Sequence, residues 1–329
     1  MDQLNPFHLF DIHADEFEEA ALKVFRFQYQ NNGLYKNFVD LVKPRGGIQT
    51  LTQIPFLPIS FFKTHVVKTG QFNEEATFES SGTSGMTSSK HAVKDLELYK
   101  NVSFTAFERL YGSLEDYCIL ALLPSYLEKG NSSLVFMVQE FMKRSKHAAS
   151  AFYLSDFDAL HETLKELEEK GQKTLLIGVT YALLDFATAF PLPLKHTIVM
   201  ETGGMKGRKR ELIRSEVHQT LSRAFGSKDI HSEYGMTELL LQAYSQRDGM
   251  FTTPPWMRVL ISDQDDPFLL HKQVQKPTTG RLHVIDLANI HSCSFIATED
   301  VARLHPNGSF EVLGREDNTD MRGCSLLAL

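Results

Sequence analysis

The alternation between residues 117 and 225 restricts the fold of this chain more than any other feature. Short apolar runs at 117–123, 149–154, 173–179 and 196–200 are separated by amphipathic segments at 134–146, 156–170, 181–190 and 209–225. An apolar run without polar alternation is a strand that must be covered on both faces. The amphipathic segments supply that cover, which predicts parallel β-α units. The clearest helix sets Leu160, Leu164 and Leu167 on one stripe and stops at Gly171. Upstream, residues 14–43 read as helix broken at Asn31-Asn32-Gly33, and residues 92–110 as another helix. From Thr237 onward the pieces are shorter and strand-like, at 257–261, 281–286, 294–297, 301–304 and 310–313, with turn signals such as Pro254-Pro255 and Asn307-Gly308. The expectation is an α/β protein with layered β-α units and a smaller, largely antiparallel β subdomain.

Charge and composition narrow the classes of function. A formal net charge of -7 over 329 residues argues against a nucleic-acid partner. The longest apolar run, 118–123, is far shorter than the roughly 20 residues of a membrane helix, so no integral membrane segment is expected. The acidic N-terminal stretch, with Asp2, Asp11, Asp15 and Glu16, is no secretory signal, which points to the cytoplasm. Cys118, Cys293 and Cys324 form neither C-x-x-C pairs nor an even set. That suits a reducing compartment and leaves one cysteine free for chemistry. No cluster has the spacing of a metal site.

One stretch is built for phosphate: Ser80-Ser81-Gly82-Thr83-Ser84-Gly85-Met86-Thr87-Ser88-Ser89-Lys90. Its glycines let backbone N–H groups approach an anion, its hydroxyls donate to phosphate oxygens, and Lys90 adds a charge. A Walker A loop is excluded because Thr87 stands at the second glycine and Ser88 at the lysine. A dinucleotide fingerprint is excluded because Ser84 replaces its middle glycine. Taken alone, the same composition also suits a Ser/Gly linker.

Four further stretches follow in order: Glu201-Thr202-Gly203-Gly204-Met205-Lys206-Gly207, His231-Ser232-Glu233-Tyr234-Gly235-Met236-Thr237-Glu238, Ala297-Thr298-Glu299-Asp300 and Leu313-Gly314-Arg315-Glu316-Asp317. Singly each has a bland reading, Gly203-Gly204 as a turn or Glu238 as a helix N-terminal acid. Together they resemble the adenylate-forming superfamily of acyl-CoA synthetases, luciferases and peptide-synthetase adenylation domains. The resemblance implies that the loop Ser80, Ser81, Gly82, Thr83, Ser84, Gly85 with Lys90 clamps the β- and γ-phosphates of ATP. It further implies that Gly203 and Gly204 line the adenine, Tyr234 stacks on it within the Gly235-Met236 turn, Thr237 reaches the α-phosphate and Glu238 holds Mg2+. Asp300 and Arg315 would bind the ribose hydroxyls.

A typical member continues about a hundred residues beyond the Gly-Arg motif, into a small domain with a catalytic lysine. Here fifteen residues follow Gly314, so the C-terminal domain is expected to be truncated to a tail. In place of that lysine, Lys90, Lys206, Arg208 or a partner protein would meet the developing charge. With its Arg322-Gly323-Cys324-Ser325-Leu326 tail, the chain resembles the LuxE family of acyl-protein synthetases, the long-chain fatty acid–protein ligases of bacterial fatty acid reductase. That resemblance implies an adenylation domain over 1–313 and a hinge and tail over 314–329. It implies a fatty acid substrate, and Cys324 as the thiol that takes the acyl group before an acyl reductase subunit receives it. Arg322 beside Cys324 favours the thiolate. The seven residues from Asp317 to Cys324 span up to roughly 23 Å, enough to reach a site from its rim. Two other readings stay open: an acyl- or aryl-CoA ligase in which Cys324 is a bystander, and a non-catalytic nucleotide-binding partner subunit.

Overall fold

The apolar runs become the centre of one large sheet. The structure, a computed structural model, describes residues 6–43, 47–80, 87–123, 131–203, 212–263, 266 and 268–315. In chain order its strands are β1 (Leu57–Pro58), β2 (Ala76–Glu79), β3 (Lys90–Val93), β4 (Cys118–Leu122), β5 (Ala151–Phe152), β6 (Thr174–Gly178), β7 (Thr197–Glu201) and β8 (His231–Tyr234). There follow β9 (Ala243–Ser245), β10 (Phe251–Thr252), β11 (Met257–Ser262), β12 (Leu270–His271), β13 (Thr278–Asp286), β14 (Phe295–Leu304) and β15 (Phe310–Arg315). β2 and β3 make a separate hairpin. The rest form a thirteen-stranded sheet in the order β12-β11-β13-β14-β15-β10-β9-β8-β7-β6-β4-β5, with β1 added in parallel to β14.

The run from β5 through β4, β6 and β7 to β8 is parallel, and every residue of β4 and β6 is buried. The connecting helices are Ser133–Ser145, Phe157–Glu169, Thr180–Ala189 and Arg214–Phe225. Helix Phe157–Glu169 starts because the Asp156 side chain accepts from the Ala159 N–H, and it buries Leu160, Leu164 and Leu167 as its stripe requires. Each of those leucines contributes about 2 kcal/mol of apolar burial. The chain ends the helix at Gly171, whose φ of +66° suits glycine.

Two boundaries differ from the sequence reading, each for a local reason. Ala92 and Val93 belong to β3, paired with Thr77 and Ala76. The helix begins only at Leu96, where Asp95 caps the Leu98 N–H. The pieces expected at 294–297 and 301–304 are one strand, because the polar residues between them are paired inside rather than turned to water. The Thr298 hydroxyl donates to the Leu282 carbonyl at 2.8 Å, and Asp300 accepts from Tyr234. The helix break at Asn32 is as expected. Its side chain caps the Tyr35 N–H, and its amide donates to the Ser292 carbonyl at 3.2 Å.

The antiparallel part, β11 to β15, is hydrogen-bonded to the parallel part through β9 and β10. β10 and β15 share a single residue pair, Phe251 with Phe310. Aromatic packing reinforces that seam. The two rings stack with centroids 5.3 Å apart, and Tyr234 meets Phe251 at 5.9 Å and Phe310 at 5.7 Å, its ring steeply inclined to both.

Candidate active site

After β4 the chain passes to β5 on one side and then to β6 on the other, so the strand order reverses there. In such sheets the crevice outside the carboxyl ends of the strands is the place for ligands. Two of the marked stretches leave from those ends, Thr202-Gly203 from β7 and Gly235 to Glu238 from β8.

The β7 turn is held by Glu201. One carboxylate oxygen accepts from the Gly203 N–H at 2.7 Å and the Thr180 hydroxyl at 3.0 Å. The other accepts from Arg214 Nε at 3.1 Å, with His218 Nε2 at 3.7 Å. Burial alone would raise this carboxyl. His218, Arg214, the Ser232 hydroxyl and the Gly203 N–H outweigh burial and hold it at about 2, so it is ionised. Arg214 also donates to the Val312 carbonyl at 2.9 Å, and so ties the turn to β15, the strand that carries Arg315.

The β8 turn is anchored from three directions. His91 of β3 places Nδ1 2.8 Å from the Thr237 carbonyl and Nε2 3.0 Å from Asn289 Oδ1. Asn289 in turn donates to the Glu238 carbonyl at 2.7 Å, and Asp286 accepts from the Leu240 N–H at 2.8 Å. Glu238 itself is buried, which raises its carboxyl. The Ser89 hydroxyl directed at it, and then Arg315 and Lys63, pull the other way. The hairpin that carries the Ser/Gly loop therefore lies against this carboxylate. At the base of the loop the Ser80 N–H donates to the Ser89 carbonyl at 3.0 Å, and the Ser89 N–H donates to Ser80 Oγ at 2.9 Å.

From the antiparallel side, Asp300 and Arg315 face each other across β14 and β15, with Arg315 Nε 3.2 Å from Asp300 Oδ1. The Tyr234 hydroxyl donates to Asp300 Oδ2 at 2.7 Å. A carboxylate offers about four acceptor positions, so Asp300 keeps capacity for a diol. Tyr234 is only 8% exposed, its ring engaged by Phe251 and Phe310. Met236 and Thr237 are half-buried, and Gly235 is exposed. Lys90 is paired with Glu79 at 3.6 Å, its side chain 64% exposed.

The structure thus joins Tyr234, Asp300 and Arg315 in one chain of contacts and sets Ser89, beside Lys90 and paired with Ser80, against Glu238, which follows Gly235, Met236 and Thr237, while Gly203 is held by Glu201 at the end of the neighbouring strand β7. Ser81, Gly82, Thr83, Ser84, Gly85, Gly204, Lys206, Arg208 and Cys324 lie outside the described residues. Among the described residues no group of three or more His, Cys, Asp or Glu is arranged to hold a metal. The anchoring side chains Glu201, Arg214, His91, Asn289, Asp286 and Lys63 were not singled out from sequence. Of these only Glu201 stood inside a marked stretch.

A family model described as acyl-protein synthetase, LuxE, matches residues 4–328. Two relatives, both named long-chain-fatty-acid--luciferin-component ligase, are each 23% identical. The one from Vibrio harveyi aligns over 92% of this chain and 84% of its own length, and the one from Aliivibrio fischeri over 94% and 86%. Among solved structures, ATP-bound MatB from Rhodopseudomonas palustris superposes with a TM-score of 0.54 at 16% identity, covering 74% of this chain and 49% of its own. A long-chain-fatty-acid-CoA ligase, FadD1, from Archaeoglobus fulgidus gives 0.51 at 12% identity, covering 73% and 51%. The chain therefore spans about half the length of these two structures, and the likeness is one of fold. No helix among the described residues is long and apolar enough to cross a membrane.

Proposed function

Since the chain belongs to the LuxE acyl-protein synthetase family, we propose that it is an AMP-forming ligase that runs two half-reactions on this site. In the first, the carboxylate of a fatty acid attacks the α-phosphorus of ATP, and pyrophosphate leaves as the acyl-adenylate forms. The loop from Ser80 to Lys90 holds the leaving phosphates, Thr237 donates to the α-phosphate, and Asp300 with Arg315 holds the ribose. Mg2+ arriving with ATP supplies charge neutralisation at the phosphates. Glu238 fits it, since Mg2+ commonly takes one or two carboxylates and completes its shell with phosphate and water. In the second half-reaction the Cys324 thiolate attacks the acyl carbonyl carbon, the bond to the phosphate oxygen breaks, and AMP departs. The enzyme-bound thioester then passes to a thiol of an acyl reductase.

The observation that carries this reading is convergence. Ser89 from the loop stem, Glu238 from the turn after β8, and the Tyr234–Asp300–Arg315 chain come from four separate stretches, and Ser89 and Arg315 both act on the Glu238 carboxyl. The choice of thiol is supported by burial of the other two cysteines. Desolvation pushes Cys118 up to about 11 and Cys293 up to about 12, so neither supplies a thiolate near neutral pH.

The test is intact-protein mass after incubation with ATP, Mg2+ and fatty acids, for the natural chain and Cys324→Ser. The expected result is a hydroxylamine-labile acyl adduct on the peptide containing Cys324. The variant should lose it while retaining acid-dependent pyrophosphate exchange. An adduct that persists in the variant would refute the role of Cys324, and AMP release that requires free CoA would assign the acyl group to CoA instead.

A further inference from the structure

With the phosphates at Glu238 and the sugar at Asp300, the base of the nucleotide takes the remaining marked strand end, that of β7. The backbone there is already engaged. The Gly203 N–H donates to the ionised Glu201 carboxylate at 2.7 Å, a charge-assisted bond that a neutral purine nitrogen does not displace. The Gly203 carbonyl accepts from the Thr180 N–H at 3.3 Å, and the Thr202 N–H donates to the Gly178 carbonyl at 3.0 Å. Beside this backbone there is room, since Gly203 has a φ of +72° and an added Cβ would meet nothing within 4 Å. One polar group remains unspent: the Thr202 hydroxyl oxygen is buried without a partner among the described residues. A buried polar atom left unpaired costs stability, so it marks a place where a ligand group completes the set.

Tyr234 is likewise committed to something other than a flat contact with a base. It is 8% exposed, with Phe251 and Phe310 against its ring, so no face the size of a base stays open. Its hydroxyl, in contrast, stands at the sugar. It donates to Asp300 Oδ2 at 2.7 Å while Arg315 Nε lies 3.2 Å from Oδ1, so two donors fix one carboxylate in place. The phenolic oxygen keeps lone pairs that accept from a ribose hydroxyl.

The two halves of the nucleotide therefore meet different kinds of site. On the sugar side a carboxylate, a guanidinium and a phenol are locked together before anything binds. On the base side the unspent group is a hydroxyl, which donates to a carbonyl oxygen and accepts from an amine equally well. Resting on the acid-activating function proposed above, we infer that Tyr234 serves the sugar through its hydroxyl, that Thr202 meets the base, and that this ligase reads its nucleotide by the ribose while taking adenine and guanine alike. A site built around a diol rejects the sugar that lacks a hydroxyl, because its own polar groups would stay unpaired. A hydroxyl that turns to suit its partner imposes no such choice.

The experiment is titration calorimetry of the full chain with ATP, GTP, 2′-deoxy-ATP and 3′-deoxy-ATP, followed by acid-dependent pyrophosphate exchange with the same nucleotides. The expected result is that GTP binds within about tenfold of ATP and supports exchange, while at least one deoxy analogue binds about 10²-fold or more weakly. Tyr234→Phe keeps the ring and removes the hydroxyl, so it should shrink the preference for ATP over that analogue and leave the ratio of ATP to GTP unchanged. Thr202→Val should move the ratio of ATP to GTP and leave the sugar preference alone. Rejection of GTP by the natural chain, a full sugar preference kept by Tyr234→Phe, or a base ratio unmoved by Thr202→Val would overturn the inference and leave acid activation intact. Binding of no nucleotide would overturn the acid-activating function itself, and the inference with it.

Discussion

Replacing Glu201 by glutamine should weaken the fold, because the site geometry is built for an ionised carboxylate. The carboxylate accepts from the Gly203 N–H and Thr180 on one oxygen and from Arg214 on the other, with His218 nearby. A glutamine must turn its NH2 toward one of those sets of donors. It therefore resembles the protonated carboxyl. The folded protein holds Glu201 at about 2 against an ordinary value of 4.5. That difference of about two and a half units corresponds to roughly 3 kcal/mol. Because the value is depressed, the contribution is complete above pH 4.5 and is lost only as the pH falls toward 2. With an unfolding entropy of roughly 0.7 kcal/mol/K for a chain this long, Glu201→Gln should lower Tm by about 4–5 °C. Scanning calorimetry at pH 5.5 is the assay, since Glu233 is then protonated in the fold whichever residue stands at 201. A Tm within about 1 °C of the natural chain would refute the claim that Glu201 is an ionised anchor of the turn.

Glu238→Gln removes the hard oxygen charge proposed to hold Mg2+, and should lower acid-dependent pyrophosphate exchange by about 10²-fold or more, with Tm retained. An exchange rate within a few-fold of the natural chain would remove Glu238 from that role. Glu233 is shifted the opposite way from Glu201: its folded value of about 8 lies above 4.5, so stability is lost as the pH rises between the two, at roughly 1.4 kcal/mol per unit. Glu233→Gln should therefore raise Tm more at pH 8 than at pH 5, and equal changes at both pH values would refute the shift. Leu164→Ala, in the fully buried stripe of helix Phe157–Glu169, should cost about 2–5 kcal/mol, read from denaturant midpoints.

Much of the architecture was legible because continuous apolar runs have few other uses. A stretch like 118–122, Cys-Ile-Leu-Ala-Leu, is a strand covered on both faces or nothing stable. The antiparallel part was harder to bound. Thr298 and Asp300 look like a break between two strands, and only their partners, the Leu282 carbonyl and the Tyr234 hydroxyl, show why polar residues sit inside one strand. The site was legible where its groups are contiguous, as in Tyr234 to Glu238. What holds those groups was not. His91 is an ordinary strand histidine until the fold brings it to Thr237 and Asn289, 146 and 198 residues away. Arg214, likewise, opens a helix like many arginines, and only the tertiary structure sets it between Glu201 and Val312.

The seam at Phe251 and Phe310 bears on how the molecule comes apart. With one residue pair joining β10 to β15, the two flanking ladders are coupled at that seam mostly through side chains. Tyr234 stands on one side and Asp300 on the other, so a nucleotide held by both would act as a rivet across the joint. Amide exchange in β14 and β15 should then slow together with that in β7 and β8 when ATP is added, although no new backbone ladder forms. In this protein, ligand occupancy would set how many pieces the sheet unfolds in as well as how stable it is.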